Sequence, residues 1–504
     1  MTNSPLQLPE ESLRQKIIVP VLIFIIVLAA YFGCAAGRLK KASSDNHYVY
    51  QAHSLLKGRL SLDRAPPHQN DWALVYELEL TDGRKVRGTF LKTGGTGRFK
   101  STKGERMIIT NDMIRTRNHV YYVSFPILPA LLMLPFVAIF GMKFNDVIFT
   151  AMLGAFNPVL VYWVLRRLRF LGLSKRTPAE ELWLVALFAF GTVHFFSSVM
   201  GQVWYTAHIV GVMVTCLYVL AALGGRHPIL AGLALGCGFI ARTTIPFTFP
   251  LAVGEILRRN LKPAEAGEET AESAEGAEKE GEDGEETAEI AEERPGHVGR
   301  IWGLARRVDW KPAIKQITLM GVPAVCVAAF AFLLNYLRFE SPFEFGHYYL
   351  NVVWMERIQR WGLLNYHFVS RNLAVMLCLL PWMLARKPYV KISWHGVALW
   401  FTTPAYLYLL YPKRRSPVQP WLYLACLGPM LLHMFYQNSG WVQFGYRFSL
   451  DYQIFLFCLL AVGGYRFGAL FKALVVYSVA VNTFGAVTFN RFMNFYQNDM
   501  FRVR

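Results

Sequence analysis

Residues 16–37, KIIVPVLIFIIVLAAYFGCAAG, decide the fold of this chain. The run holds about 20 apolar residues, enough to cross roughly 30 Å of hydrocarbon at about 1.5 Å rise per residue. It reads as a membrane span or a signal peptide. Gly33, Cys34, Ala35 and Ala36 have the small side chains of a cleavage region. Many further apolar segments follow, however, so an uncleaved anchor in a polytopic chain is expected.

Composition agrees. Of 504 residues, 54% are hydrophobic, 15% aromatic and only 17% charged, a balance that a water-soluble core of this length does not need. All seven cysteines fall in apolar segments, and no CxxC spacing occurs, so neither a disulfide framework nor a cysteine metal site is expected. The net charge of +18 hides an asymmetry, because residues 264–293 carry 14 acidic groups and one lysine. That tract sums to −13, which leaves +31 on the remainder. A basic membrane protein suits anionic lipid head groups and phosphate-linked substrates. With no reading module between the spans, nucleic acid is not an expected partner. The acidic tract has no aromatic residue and one branched aliphatic, Ile290, so it cannot bury enough surface to fold. It is expected to be a disordered cytoplasmic linker over 262–297, with basic flanks that place both of its ends inside.

Apolar segments lie at 17–36, 126–141, 147–165, 182–200, 203–223, 228–241, 243–257, 315–336, 372–385, 394–411, 419–436, 451–469 and 471–490. If 126–141 crossed, Arg166, Arg167, Arg169, Lys175 and Arg176 would face outward, against the positive-inside rule. That segment is short and holds Pro126, Pro129 and Pro135, so a juxtamembrane or re-entrant helix fits it better. The same parity argument makes 372–385 interfacial, which puts Lys413, Arg414 and Arg415 inside. The expectation is an all-α polytopic membrane protein of about eleven crossings in one domain over 1–490, with a tail at 491–504. Its N-terminus is cytoplasmic, and its outer loops are 38–146, 337–393 and 437–450. Within the first loop, VYELELTDGRKVRGTF and ERMIITNDMI carry β-favouring residues, and Asp82-Gly83 is a strong hairpin signal. A β-rich appendage over about 72–117 is expected there. Gly94, Gly95 and Gly97 match no phosphate-loop spacing and read as a hairpin turn.

An ordered set of stretches now carries a resemblance. SSDNHYVYQAHSLLKGRLSLD, YYVSFPILPALLMLPFVAIFG, AGLALGCGFIARTTIPFTFP, NYLRFESPFEFGHYY and GWVQFGYRFSLDYQIF resemble, in that order, bacterial integral-membrane glycosyltransferases of the GT-C superfamily, the class that includes the protein mannosyltransferase-like enzymes. The resemblance spans roughly residues 15–490, apart from the acidic linker and the β appendage. It implies a GT-C-like helix bundle in a bacterial plasma (inner) membrane. Such an enzyme passes a sugar from a polyprenyl-phosphate donor to a lipid, glycan or protein acceptor on the extracytoplasmic side, with inversion at the anomeric carbon. It also implies an acidic catalytic residue in the first outer loop, and Asp45 stands in that position. Many members carry two adjacent acids there, whereas this chain has Asp45-Asn46, which weakens a metal-binding pair.

Read from the residues themselves, Asp45 beside His47 at a low-dielectric mouth has the chemistry of a general base on an acceptor hydroxyl. It equally has the placement of an N-cap for the helix-like HYVYQAHSLLKG. His47 and His53 do not share a helix face, so ligand spacing supports no divalent metal and no cofactor is expected with certainty. The donor phosphate needs cations, because charge develops on it as the sugar bond breaks. Arg447 and Arg242, at the ends of apolar runs, are the candidates, against an ion pair of Arg447 with Asp451 or simple snorkelling. Trp204 and His208 in GQVWYTAHI, Glu340 and His347 in RFESPFEFGHYY, and Gln443 and Asp451 beside Arg447 complete the expected substrate-binding set. Trp204 is equally placed for an aromatic belt. Two other functions compete: a lipid or solute transporter or flippase, and a non-catalytic scaffold of envelope assembly. Transporters place charges near mid-membrane and often show two matching halves; the spans here are nearly free of charge, and no repeat is evident.

Overall fold

The computed structural model describes residues 14–263 and 305–497. Most of the stretch expected as an acidic linker, and the end of the C-terminal tail, lie outside the described residues. Among the described residues, five helices are long and apolar enough to cross a membrane: those at Gln15–Lys40, Asp146–Phe170, Gln202–Ala222, Trp310–Phe339 and Ala469–Thr488. Bare aliphatic side chains mark their outer faces, among them Ile25 and Ile26 on the first, Val322 and Val325 on the fourth, and Val476 on the last. No polar solvent suits such faces, and a bilayer does. Their other faces close on a core in which the Tyr31 hydroxyl donates to Ala189 O at 2.7 Å and the Tyr31 ring stacks on Phe195.

The helices do not by themselves show the expected eleven crossings. Segment 182–200 divides at Gly191 into Pro178–Phe190 and His194–Ser198. Segment 394–411 holds only Leu399–Thr402 and a 3-10 turn at Pro404–Leu410, because Pro404 lacks the amide that a continuing helix needs. Segment 451–469 is α-helical only over Gln453–Val462 and stops at Gly463-Gly464. The 126–141 stretch is a 13-residue helix, Leu128–Phe140, and 372–385 begins in the short helix Val369–Leu377.

Between the first and second of the long helices stands a five-stranded antiparallel sheet: β1 Ala73–Leu80, β2 Lys85–Phe90, β3 Arg98–Ser101, β4 Arg106–Ile108 and β5 Ile114–Tyr122, in the order β4-β3-β2-β1-β5. It ends five residues beyond the expected 72–117, because β5 pairs with β1 as far as Ala73↔Tyr122. Leu78, Leu80, Phe99 and Ile109 form its small core. Glu340, which ends the helix Trp310–Phe339, ties the sheet down: it pairs with Arg87 at 3.3 Å and accepts from Thr102 Oγ1 at 2.9 Å.

Candidate active site

Asp45 sits in the turn between the first long helix and the helix His47–Leu56. Its backbone carbonyl accepts from Val203 N at 2.9 Å, fastening the turn to the start of the helix Gln202–Ala222. Its side chain does not cap its own helix; the N-cap position is Asn46, which makes no side-chain cap bond. Instead Oδ2 accepts from Ser44 Oγ at 2.6 Å and from Gln202 Nε2 at 2.9 Å. On the other side, His68 Nε2 lies 3.4 Å from Oδ1 and 3.0 Å from the Ser44 carbonyl. A carbonyl only accepts, so Nε2 carries the proton. Asp146 supports this arrangement, accepting from Ser43 N and Oγ and from Gln202 N. Gly201 is required at the junction: its φ is +63°, and a Cβ there would stand 2.7 Å from Val147 Cγ2.

A second carboxylate faces the same space. Asp71, in the stretch HQNDW, has φ +64° and is 5% exposed against 8% for Asp45. Its Oδ2 accepts from Trp204 Nε1 at 2.7 Å. Burial pushes its carboxyl up to about 6, with the Asp45 charge adding to the rise against the Trp204 bond. Sequence reasoning missed Asp71, since an acid among polar residues just before a strand reads as a turn former.

Arg447 joins the two carboxylates along one cavity of about 360 Å3, a volume in the range of small-ligand sites. Its guanidinium lies over the Tyr205 ring at 5.1 Å and donates to Val442 O at 3.2 Å. No carboxylate pairs with it among the described residues, so this buried cation is poised for an anionic ligand. The alternative pair with Asp451 does not form. Arg447–Asp451 is a 3-10 turn, and at three residues per turn positions four apart do not share a face. Gln443 braces Arg447 from behind: its Oε1 accepts from Arg447 N, and its Nε2 donates to His395 O and Ser439 O. Gly440 leaves room for this amide, since a Cβ there would meet Gln443 Oε1 at 2.4 Å. Trp204, Trp354, Trp394 and Trp441 line the rest, with Asn70, Gln202, Asn438 and Asn490 between them.

Of the expected residues, then, Asp45, Arg447 and Trp204 meet in the cavity. The others stand elsewhere. Arg242 is not a free phosphate clamp: its Nε and terminal nitrogen hold Asp451 at 3.0 Å and 2.9 Å. Asp451 also accepts from Thr244 Oγ1 at 2.6 Å and contacts His208 Nδ1 at 3.1 Å and His433 Nε2 at 2.9 Å. With every lone pair occupied, this carboxylate and His208 form a buried structural network behind the site. His47 does not flank Asp45 as an accessible base. Its ring is wholly buried and stacked on Trp72 at 3.7 Å, and burial pushes its imidazole down to about 3. Glu340 serves the sheet, as described above. His347 follows Gly346 in a turn held by Glu344 and does not line the cavity. Among the described residues, no group of three or more His, Cys, Asp or Glu side chains is placed to hold a metal ion.

No protein-family model and no curated protein matches this chain. Among solved structures, the archaeal oligosaccharyltransferase AglB from Archaeoglobus fulgidus, in complex with an inhibitory peptide and a dolichol-phosphate, aligns with a TM-score of 0.40 and 11% identity. The apo form of the A. fulgidus oligosaccharyltransferase aligns with a TM-score of 0.39 and 12% identity. Each alignment covers 97% of this chain and 57% of the other, so the chain spans little more than half the length of these structures.

Proposed function

We propose that this chain is a membrane glycosyltransferase that moves a sugar from a polyprenyl-phosphate-linked donor to an acceptor hydroxyl at the extracytoplasmic face. The observation that carries the reading is that Asp45, Asp71 and Arg447 line one cavity beside helices apolar enough to span a bilayer. Two acids beside a buried cation without a carboxylate partner match the charges of such a transfer: positive charge at the anomeric carbon, negative charge on the departing phosphate.

In this mechanism the Asp45 carboxylate takes the proton of the acceptor hydroxyl as that oxygen bonds to the anomeric carbon. The bond from that carbon to the phosphate oxygen breaks, its electron pair leaves with the lipid phosphate, and the configuration inverts. Arg447 offsets the charge on the departing phosphate. Asp71, when ionised, stabilises the positive charge between them, and Gln202 and Ser44 hold Asp45 in line. The proton left on Asp45 passes to water. Purified protein supplied with polyprenyl-phosphate sugars and membrane extract tests the reading. Transfer by the wild type that is lost in Asp45→Asn supports it, and transfer retained in that variant would sink it.

A further inference from the structure

The cavity has two unlike walls. One holds Asp45, Asp71, Trp204 and Arg447, which the proposed transfer uses. The other is aromatic: Trp354 and Trp441 meet edge to face with ring centroids 5.6 Å apart, and Trp394 lies 5.8 Å from Trp441 at 55°. Each of the three is only half-buried, and all three line the cavity. They come from three separate segments of the chain, so their convergence is a product of the fold and not of a local apolar run.

Polar groups are set among these rings. The Asn438 carbonyl Oδ1 accepts from Gly440 N and Trp441 N, which fixes the amide while its NH2 makes no hydrogen bond among the described residues. An alkyl chain would strip water from this amide and return nothing. A pyranose ring suits this setting: its C–H face lies flat on an indole, whose negative face attracts the polarised hydrogens, while an equatorial hydroxyl reaches outward to the Asn438 amide.

We propose that the wall of Trp354, Trp394 and Trp441 with Asn438 is a saccharide subsite and that the acceptor is a glycan. This inference rests on the transferase reading only for the word acceptor; saccharide binding itself does not depend on it. The sugar being transferred belongs to the other wall, where its anomeric carbon meets both the base and the phosphate clamp. The glycan lies on the tryptophans and presents one hydroxyl to Asp45.

The test is quenching of intrinsic tryptophan fluorescence by free gluco-, manno-, galacto- and N-acetylglucosamine oligosaccharides, with purified full-length protein and no donor present. Trp354→Ala and Trp394→Leu are compared after their melting curves confirm folding; Lys103→Ala, on the sheet, is the control. Saturable quenching that weakens at least about tenfold in either tryptophan variant and not in the control supports the proposal. Absence of saturable quenching by every oligosaccharide, or quenching equal in all variants, overturns it. Release of lipid phosphate from donor is measured beside it. Release without saccharide binding leaves the transferase reading and removes the glycan acceptor; saccharide binding without release leaves the saccharide subsite and removes the transferase reading.

Discussion

The indole Nε1–H of Trp204 donates to Oδ2 of Asp71 at 2.7 Å, joining the loop before the sheet to the first turn of the helix Gln202–Ala222. Through that bond a residue of a long apolar helix controls the charge of a carboxylate in the cavity. It is also the strongest force holding the Asp71 carboxyl down against burial.

Trp204→Phe removes the donor and leaves the ring. A hydrogen bond to a charged group contributes about 1.5–3 kcal/mol, so the Asp71 carboxyl rises by about 1 to 2 pH units. The account assigns the acid limb of the kcat/KM profile to Asp71, raised to about 6, and predicts that this limb moves upward by that amount. A pH–rate profile measures it, and an unmoved acid limb would separate Asp71 from the reaction.

Asp71→Asn exchanges activity for stability. The folded carboxyl is raised from its ordinary 3.8 to about 6, so its favourable contribution is complete below 3.8 and is lost as pH rises through about 6. At pH 7 the buried charge costs on the order of 3 kcal/mol. The amide keeps an acceptor for Trp204 and carries no charge. The variant therefore melts higher than the wild type at pH 7 and equally near pH 4, while its transfer rate falls. Thermal unfolding in detergent at the two pH values checks this.

Arg447→Lys keeps the charge and loses the planar fork. The account predicts a rise of ten- to a hundredfold in donor KM with a smaller change in acceptor KM, read from initial rates with each substrate varied in turn. Equal effects on both would place Arg447 outside the donor site.

Arg242→Met removes the cation from a carboxylate that also contacts His208 and His433 and accepts from Thr244. An uncompensated buried carboxylate costs about 3–5 kcal/mol. Loss of stability is expected to exceed any effect of Arg447→Lys, and donor KM in whatever protein folds stays near the wild type. A melting curve with a full kinetic comparison distinguishes this structural role from a phosphate clamp.

Asp45, Arg447 and Trp204 stood out in the sequence because each lies at the edge of an apolar run, although the partners that position them, Gln202, Tyr205 and Asp71, come from distant segments. The β appendage was legible locally, since alternation and Asp82-Gly83 specify a hairpin without help from distant residues. Arg242 was expected at the donor phosphate, and its ion pair with Asp451, 209 residues away, is a contact for which sequence spacing carries no signal. Asp451 looked like the partner of Arg447 only on the assumption of α-helical pitch, which the 3-10 turn breaks. The count of eleven crossings is not shown by the helices: apolar composition marks segments that are buried as readily as segments that span, and Gly191, Pro404 and Gly463 break several of them.

The central claim is that Asp45 is the base of a sugar transfer. The most direct measurement is release of radiolabelled sugar from a polyprenyl-phosphate donor to acceptor by purified wild type and by Asp45→Asn, with melting curves showing both folded. The account predicts transfer by the wild type and a loss of about a hundredfold or more in the variant. Transfer by Asp45→Asn at the wild-type rate would contradict it.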